Sequence, residues 1–396
     1  MFRFDRSYDP EEFAAVAQRI DAIAPVIAAN ADTAERDARL PEIVARTMAR
    51  AGLYRLSAPA AAGGGEAHPF TQILTIEKVS AIDGAAGWNL MIGMETLGIL
   101  SGGLTREQAT HLLASPEVII SGALNPKGFA EAVPGGYRVS GQWPFASGCH
   151  NCDYFVGQCI LTRDGVPLHN DDGTPQVTQV FVPRSDFTII ETWDVDGLRG
   201  SGSHDVRITE KFVADFWSAS LAQERRFATG PLFRLPLYSR LAYNKVGVAT
   251  GIARAAIDAF RRHAVEKTPR ASLGSLAERG DAQLAVAQAE VELRAARAYT
   301  FEAVGEVWET VVDGRRPTTE QRALLQLACS NAASAAVRAV TLVHEVAGST
   351  ANFRANPLSR CFRDVQVVRQ HIMVSPQWMA ASGRVLLGQP SRTFLF

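Results

Sequence analysis

The sequence has few cysteines, almost no net charge and no apolar run long enough to span a membrane. Five cysteines in 396 residues do not make a disulfide framework. Forty Lys and Arg side chains are balanced by 41 Asp and Glu, and no segment concentrates basic residues, so a nucleic-acid partner is not expected. The longest apolar stretches, such as Leu90–Leu100, are far shorter than the roughly 20 residues of a membrane-spanning helix.

The N-terminus and the chain length limit the possibilities further. The opening residues, MFRFDRSYDPEEF, lack the apolar core of a signal peptide. We therefore expect a cytoplasmic protein with reduced thiols and no membrane partner. A chain of this length can bury a large core and suggests two or three domains.

Residues 8 to about 118 are predicted to be helical. The segment Asp9–Glu12 combines a capping Asp, a Pro in the first turn and carboxylates near the positive end of the helix dipole. Pro41 opens a second helix that ends near Gly52. The run from Phe70 to about Leu100 is apolar at helical spacing, and a short helix is predicted over Thr105–Ala114.

Two changes of pattern divide the rest of the chain. From Val118 to about Trp217, short runs rich in β-branched and aromatic residues alternate with turn clusters such as Asn170–Gly173, which predicts an antiparallel sheet or small barrel. After Pro236, helical periodicity returns. Four helices are predicted there: Leu241–Glu266, Ala282–Gly314, Thr318–Val346 and Ser375–Leu387. The predicted domains are 1–118, 119–220 and 221–396.

Three motifs accompany this order of elements. Gly141–Gly148 reads G-Q-W-P-F-A-S-G, and Trp193–Val206 reads W-D-V-D-G-L-R-G-S-G-S-H-D-V. Pro357–Asp364, P-L-S-R-C-F-R-D, is followed by His371. Together these segments resemble the acyl-CoA dehydrogenase superfamily, and the first two resemble its oxygenase branch. The resemblance implies an N-terminal α-helical domain, a middle antiparallel β domain that contacts flavin, and a C-terminal four-helix bundle.

The catalytic base of the dehydrogenases is missing from this sequence. Alignment on Arg363–Asp364 places Ile372 where most of these enzymes have a Glu, and alignment on Val246–Gly251 places Asn244 at a second family position. Neither side chain can act as a general base. The chain therefore resembles the oxygenase components of two-component flavin-dependent monooxygenases.

The resemblance implies a reaction and roles for two residues. Reduced FMN or FAD arrives from a separate flavin reductase and reacts with O2 to give a flavin peroxide, which hydroxylates a small aromatic or heteroaromatic compound. Ser147 would place its hydroxyl near the reactive edge of the flavin. His371 would lie at the same cavity, where its ordinary pKa near 6.5 suits protonation of the peroxide or deprotonation of a phenol. The structural alternatives are a turn serine for Ser147 and a helix-end or core histidine, bonded to a backbone carbonyl, for His371.

The resemblance also implies contacts with the cofactor and between subunits. The implied flavin-binding residues are Trp143, Phe145, Ser147, Ser201, Ser203 and Arg270. Trp143 and Phe145 are alternatively plain core aromatics. Arg270 would pair with a flavin phosphate or lie solvated in a loop. The family usually forms tetramers through the C-terminal bundle, so a homotetramer is expected.

One departure from the family concerns the substrate pocket. Oxygenases of this branch often carry another His in the helix that follows a Trp like Trp88, whereas here Glu95 or Thr96 stands near that place. An unpaired carboxylate is costly to bury, so Glu95 is either a surface residue at a helix edge or a pocket carboxylate. Trp88 and Glu95 are therefore candidate pocket residues.

A metal site is not predicted. Cys149, His150, Cys152 and Cys159 lie close together, but a structural zinc site needs four ligands, usually from two spaced pairs, and no second pair follows. Two alternative functions stay open. One is a dehydrogenase or oxidase with a displaced base, for instance Glu95. The other is a non-catalytic family member.

Overall fold

The computed structural model describes residues 8–219, 227–270 and 272–393. Its N-terminal helices are α1 (Pro10–Asp37), α2 (Glu42–Arg50), α3 (Pro69–Ser80), α4 (Gly84–Gly103) and α5 (Arg106–Leu112). The predicted start of α1 is confirmed, because the Asp9 carboxylate accepts a hydrogen bond from the Glu11 amide at 2.9 Å. The apolar run that begins at Phe70 is two helices. Asp83 separates them by capping α4 through the Ala86 amide at 2.7 Å.

Helix α4 is the central helix of this region. Nearly all of its residues are buried, as expected for a helix that is apolar on every side. It contacts α3, the long helix α7 (Leu237–Glu266) and the first strand of the sheet. Trp88 and Glu95 are therefore both held inside the protein, although they lie two turns apart on the helix.

The middle region forms one sheet. Its strands are β1 (Ile120–Val133), β2 (Gly136–Trp143), β3 (Tyr154–Arg163), β4 (Val166–Pro167), β5 (Val177–Pro183), β6 (Thr188–Ile190), β7 (Asp205–Ala214) and β8 (Ser218–Ala219). The order is β6-β7-β2-β1-β3-β5-β8, and β4 pairs with β3. The predicted antiparallel pairing holds except between β1 and β3, which run parallel. They are parallel because the segment after β2 carries the chain back across β1 before β3 begins.

The C-terminal region consists of α6 (Pro231–Arg234), α7 (Leu237–Glu266), α8 (Gly280–Val312), α9 (Thr319–Ala347), α10 (Pro357–Gln370) and α11 (Gln377–Leu386). The three long predicted helices are confirmed. Helix α10 was not predicted. It packs against α7 and α9 and completes the bundle, whereas the predicted fourth helix, α11, packs on α9. Helix α9 is long and apolar enough to cross a membrane, but 72% of its most apolar window is buried within this fold.

Close helix packing fixes the bundle against the N-terminal helices. Helices α3 and α7 approach each other at Gly251, where an added Cβ would lie 2.4 Å from the Glu77 carbonyl oxygen. Only glycine permits this approach. The contact holds α7 against α3, which also packs against α4.

A second junction joins the sheet region to α10. The Asp364 carboxylate accepts a hydrogen bond from the Leu198 amide at 2.6 Å. Leu198 begins the turn that leads to Ser201 and Ser203. The predicted domain boundary at 118/119 lies just before β1, while the boundary at 220/221 falls outside the described residues.

Candidate active site

A cavity of about 1330 Å³ lies between the sheet and the helices. It exceeds the roughly 300–1,000 Å³ of an ordinary small-molecule pocket, so it has room for more than one small molecule. Its apolar wall includes Ile92, Ile99, Leu100, Val156, Leu241 and Met373, and its polar wall includes Glu95, Thr96, Gln158, Gln179, Lys245 and His371. Residues 122–126 of β1 also line it, and the pairing of β1 with β3 is irregular there. An irregularity of this kind bends a strand locally.

His371 follows the last turn of α10 and lines the cavity. Its Nδ1 accepts a hydrogen bond from the Met373 amide at 3.2 Å. Its ring packs edge-on against the Trp88 ring, with 5.5 Å between centroids. Burial, followed by the nearby Lys245 ammonium, lowers the pKa of His371 to about 3.

The lowered pKa changes what His371 can do. At neutral pH the ring is neutral, and because Nδ1 is an acceptor, the single ring proton is on Nε2. The ordinary histidine pKa near 6.5, which the sequence led us to expect, does not apply in this fold. His371 therefore offers a fixed N–H donor, and it is a poor proton acceptor at neutral pH.

Ser147 belongs to a chain of buried hydrogen bonds. Its Oγ accepts from the Trp88 indole N–H at 3.0 Å and lies 2.7 Å from the Ser203 Oγ. The Ser203 Oγ lies 2.7 Å from the Ser201 Oγ. The structure thus brings together Ser147, Ser201, Ser203, Trp88 and, through ring packing, His371. Ser147 is only 5% exposed and is not among the residues that line the cavity.

The segment before Ser147 turns sharply at Phe145. Phe145 has φ of 60°, in the left-handed region that non-glycine residues seldom adopt. The Ala146 amide donates to the His204 carbonyl at 2.9 Å, and the Gly148 amide donates to the Ser201 carbonyl at 3.1 Å. These bonds tie together the two segments that carry the serine hydroxyls. The Phe145 side chain is left 69% exposed and lines the cavity.

Unlike Phe145, Trp143 does not line the cavity. Its side chain is fully enclosed, and its indole N–H donates to the Gln158 carbonyl at 2.8 Å. It packs against Phe155. Trp143 therefore supports the sheet behind the cavity, and its side chain does not form the cavity wall.

Glu95 and Lys245 form a buried ion pair on the cavity wall. Glu95 is 4% exposed and Lys245 is 2% exposed, and the Lys245 ammonium donates to Glu95 Oε2. Burial raises the pKa of Glu95 and lowers the pKa of Lys245, and each partner's opposite charge acts against the shift. The alternative that Glu95 is a surface residue is therefore wrong. Sequence reasoning missed Lys245, although a lysine within an apolar bundle helix was a usable signal.

The two dehydrogenase base positions carry no carboxylate here. Ile372 lines the cavity, and Asn244 is buried beside Lys245 on α7. The carboxylates among the cavity residues described are Glu95 and the exposed Asp215. Glu95 lies within the cavity wall, but Lys245 engages it. A proton-abstracting role for Glu95 would have to operate from within this pair.

The remaining predicted positions lie away from the cavity. Arg270 is exposed in the loop between α7 and α8 and is not a cavity residue. Cys149, Cys152 and Cys159 are buried thiols, and burial raises the pKa of Cys149 and of Cys159 to about 12. Within residues 8–219, 227–270 and 272–393, no group of three or more His, Cys, Asp or Glu side chains is arranged to hold a metal ion.

Family models match both helical regions. The model described as acyl-CoA dehydrogenase, N-terminal domain, matches residues 10–115, and the model described as acyl-CoA dehydrogenase, C-terminal domain, matches residues 244–376. Indole-3-acetate monooxygenase from Pseudomonas putida is 33% identical over 85% of both chains. The protein of the same name from Acinetobacter baumannii is 31% identical over 95% of this chain and 96% of its own. The chain is a flavin-dependent monooxygenase of the acyl-CoA dehydrogenase superfamily.

A further relative and two solved structures are similar to this chain in sequence or in fold. The FADH2-dependent resorcinol hydroxylase oxygenase component of Rhizobium is 26% identical over 93% of both chains. The 3-HSA hydroxylase of Rhodococcus sp. RHA1 superimposes with a TM-score of 0.87 at 25% identity and covers 96% of this chain and 99% of that one. XiaF of Streptomyces, in complex with FADH2 and glycerol, shares the fold, with a TM-score of 0.88 at 21% identity over 97% of both chains. The predicted oxygenase branch is thereby confirmed.

The residues of the cavity fit a flavin. Its volume exceeds what a small aromatic compound alone requires, and Pro144 and Phe145 are among the residues that line it. The wall is mostly apolar but carries a few polar side chains, among them Thr96, Gln158 and His371, which suits a flat ring system edged by N–H and C=O groups. The superfamily's cofactor is therefore compatible with this site.

Proposed function

We propose that this chain is the oxygenase component of a two-component system that hydroxylates a small aromatic or heteroaromatic compound. It would receive reduced FMN or FAD from a separate flavin reductase by diffusion. The observation that carries the proposal is the cavity itself. It is large and mostly apolar, it is lined by a neutral His371 and a Glu95 that is paired with Lys245, and the two dehydrogenase base positions carry Ile372 and Asn244 instead of a carboxylate.

The proposed roles follow from the donors and acceptors present. Bound reduced flavin supplies the electrons with which O2 is activated. Pro144 and Phe145 would hold the ring system from one side, and the aliphatic wall would exclude water and so limit unproductive release of hydrogen peroxide. His371 would donate its Nε2–H to negative charge that develops during oxygen transfer. These roles use a fixed donor in a dry cavity and need no general base.

Ser147 would act next to Trp88. Because the Trp88 indole N–H occupies one acceptor position of Ser147 Oγ, the serine keeps its own proton to donate. In this structure Ser203 Oγ lies within reach of that proton, at 2.7 Å. We propose that the hydroxyl orients Trp88 against His371, and that it would act as a donor toward the flavin only by exchanging its present bond to Ser203 for one to the cofactor.

Turnover with a separate reductase tests the proposal. The purified chain, a flavin reductase, NADH and either FMN or FAD are incubated with a phenol, indole and thiophene panel under 18O2. Incorporation of one 18O atom per product supports the proposal. Loss of product in Ser147→Ala and His371→Ala, with full product in the exposed controls Ser185→Ala and His169→Ala, supports the site. Unchanged rates in both site variants would remove the site assignment.

The two alternatives predict different results. Bleaching of bound oxidised flavin by acyl-CoA or nitroalkane compounds in the absence of O2 would indicate a dehydrogenase or oxidase, with Glu95 as the carboxylate to test. Failure to bind either oxidised or reduced flavin by fluorescence quenching would indicate a non-catalytic protein. The same titrations, done with FMN and FAD, decide which flavin is preferred.

The assembly and location are also part of the proposal. The expected homotetramer would form through the C-terminal bundle, where its loop residue Arg270 would come near a flavin phosphate of a neighbouring subunit. Light scattering of the purified chain measures the number of subunits. Arg270→Ala should weaken FAD binding more than FMN binding if Arg270 contacts the adenosine half. A cytoplasmic location is expected, and fractionation of cells that express the chain tests it.

A further inference from the structure

Two adjacent residues of α10, Arg363 and Asp364, hold a short segment of the chain between β6 and β7. The Asp364 carboxylate accepts a hydrogen bond from the Leu198 amide at 2.6 Å. The Arg363 guanidinium donates to the Asp196 carbonyl. Gly197 lies so close to α10 that an added Cβ would collide with the Arg363 carbonyl oxygen. Arg363 and Asp364 thus form a clamp that holds the segment on both sides of Gly197.

The held segment has a strained backbone. Leu198 has φ of 50°, a left-handed conformation that is uncommon for any residue other than glycine. Such a conformation persists where the surrounding contacts over-determine it. The bond to Asp364 is one of these contacts, and a carboxylate makes a stronger hydrogen bond to an N–H than a neutral acceptor does. Asp364 is 2% exposed, so water does not compete for the bond.

The position of Leu198 fixes the positions of two buried serines. A short turn, Arg199–Ser201, follows Leu198, and the Ser201 amide donates back to the Leu198 carbonyl at 2.9 Å. The hydroxyl oxygens of Ser201 and Ser203 lie 2.7 Å apart, and the Ser203 oxygen lies 2.7 Å from Ser147 Oγ. The clamp therefore sets where these hydroxyls lie beside Ser147.

The helix that carries the clamp also leads to His371. Asp364 precedes His371 by about two helical turns, so α10 fixes the distance between the clamp and the imidazole. Trp88 contacts both sides of the arrangement, because its indole N–H donates to Ser147 at 3.0 Å and its ring packs on His371. A shift of α10 against the clamped segment would therefore change the spacing between the serine hydroxyls and His371.

We propose that Asp364 is a positioning residue for the oxygenase reaction. Its carboxylate holds the Leu198 amide and thereby keeps the buried serine hydroxyls in register with His371. Asp364 is not among the residues that line the cavity, so it acts through the position of the backbone and not by touching a bound molecule. This inference rests on the proposed function, in which those hydroxyls and the imidazole serve the reaction.

Two substitutions test the hydrogen bond. Asp364→Asn keeps an oxygen that can accept the Leu198 N–H, whereas Asp364→Ala leaves that N–H without its acceptor. Burial raises the pKa of Asp364 to about 7, so the proteins are compared at about pH 8, where the wild-type carboxyl group is mostly ionised. The matched control is Val307→Ala, which removes buried methyl groups from α8, a helix none of whose residues is among those that line the cavity.

Hydrogen exchange of the protein without flavin measures the clamp directly. In Asp364→Ala, the amides of residues 198–203 should exchange about tenfold faster than in wild type, as expected on losing one hydrogen bond. The amides that follow β2 should also exchange faster, because the Gly148 amide donates to the Ser201 carbonyl. Asp364→Asn should restore most of the protection, and Val307→Ala should not single out these amides.

The division of electrons between product and hydrogen peroxide tests the positioning role. The chain, in excess over flavin, is incubated with a flavin reductase, NADH and the phenol, indole and thiophene panel. The ratio of product to peroxide should fall about tenfold in Asp364→Ala and stay near the wild-type value in Asp364→Asn and Val307→Ala. A loss of folded protein alone would reduce turnover without changing how each folded chain divides its electrons.

The outcomes are distinguishable. Faster exchange and a lowered product ratio in Asp364→Ala, both restored in Asp364→Asn, support the inference. Unchanged exchange of the 198–203 amides overturns it, as do equal effects in both variants. Faster exchange with an unchanged product ratio also overturns it, because the clamp would then serve folding alone.

Two further results are informative. If Asp364→Ala gives no cooperative urea transition, Asp364→Ser, whose shorter side chain falls short of the Leu198 amide, is measured in its place. If the wild-type protein hydroxylates no compound of the panel, the proposed function fails together with the positioning role. Normal turnover with unchanged exchange overturns the inference and leaves the proposed function intact.

Discussion

Because His371 is neutral in the folded chain, we expect the free energy of unfolding to fall in mild acid. Its pKa is about 3 in the folded chain and 6.5 without the fold. Between these values the unfolded chain binds a proton that the folded chain does not, so the free energy of unfolding falls as the pH decreases through 6.5. Above pH 6.5 this side chain does not lower the free energy of unfolding. The loss grows as the pH falls below 6.5 and is complete near pH 3, where the folded ring also binds a proton.

The size of the effect follows from the same two values. At pH 5 the unfolded ring is mostly protonated and the folded ring is neutral, which lowers the free energy of unfolding by about 2 kcal/mol relative to pH 8. His371→Gln cannot titrate. The difference in unfolding free energy between wild type and variant should therefore shift by about 2 kcal/mol in favour of the variant between pH 8 and pH 5. Contact of the ring with solvent in the cavity makes this an upper value.

Urea unfolding of both proteins at pH 5, 6, 7 and 8 measures this shift. Tryptophan fluorescence and circular dichroism must give coincident transitions, because a single free energy is defined only then. Other titrating groups, including His150, are the same in both proteins and cancel. His169→Gln, at an exposed position, should show no comparable shift. A difference between wild type and His371→Gln that does not change with pH would refute the reasoning, as would a His371 NMR titration with a midpoint near 6.5.

Three further predictions concern packing and the buried polar groups. Gly251→Ala should lower the free energy of unfolding by about 1–3 kcal/mol, because the new methyl group would lie 2.4 Å from a backbone oxygen. The control is Gly280→Ala, whose new methyl group meets nothing within 4 Å and which should be nearly neutral in the same urea titration. Lys245→Met alone should lower the free energy of unfolding by about 3–5 kcal/mol, because it leaves the Glu95 carboxylate without its cation. Adding Glu95→Met should restore most of this loss. Equal losses in the single and double variants would argue against a buried charge pair. Ser147→Ala should raise the fraction of NADH electrons released as hydrogen peroxide, measured against product formed; an unchanged ratio would show that the hydroxyl is not needed.

The pairing of β2 with β7 explains why serines from two separate sequence motifs lie together in the structure. Ser147 follows β2, whereas Ser201 and Ser203 precede β7, and these two strands pair in the sheet. Their adjoining segments therefore meet, and backbone bonds such as that from the Gly148 amide to the Ser201 carbonyl hold them together. Trp88 enters from α4 and links these serines to His371.

Some site residues were predictable and others were not, for identifiable reasons. Ser147 belongs to a short sequence motif and His371 follows one, so both could be predicted without knowledge of distant contacts. The environment of Glu95 was not predictable, because α4 is apolar on all sides and its periodicity does not show which face meets a cavity. Its partner, Lys245, lies 150 residues further along the chain. Helix α10 was missed because its buried positions include polar residues such as Asp364, whose partner is the Leu198 amide.

The amino-acid sequence by itself determined the order of helices, strands and helices, the superfamily, and the absence of a carboxylate at the dehydrogenase base positions. These properties depend on local periodicity, turn residues and short motifs, which can be recognised within a few tens of residues. Tertiary structure alone decided that Trp143 supports the sheet while Phe145 lines the cavity, that Glu95 is paired with Lys245, and that His371 is neutral. Each of these depends on burial and on partners distant in the chain, and burial is what changes the free energy of a charge.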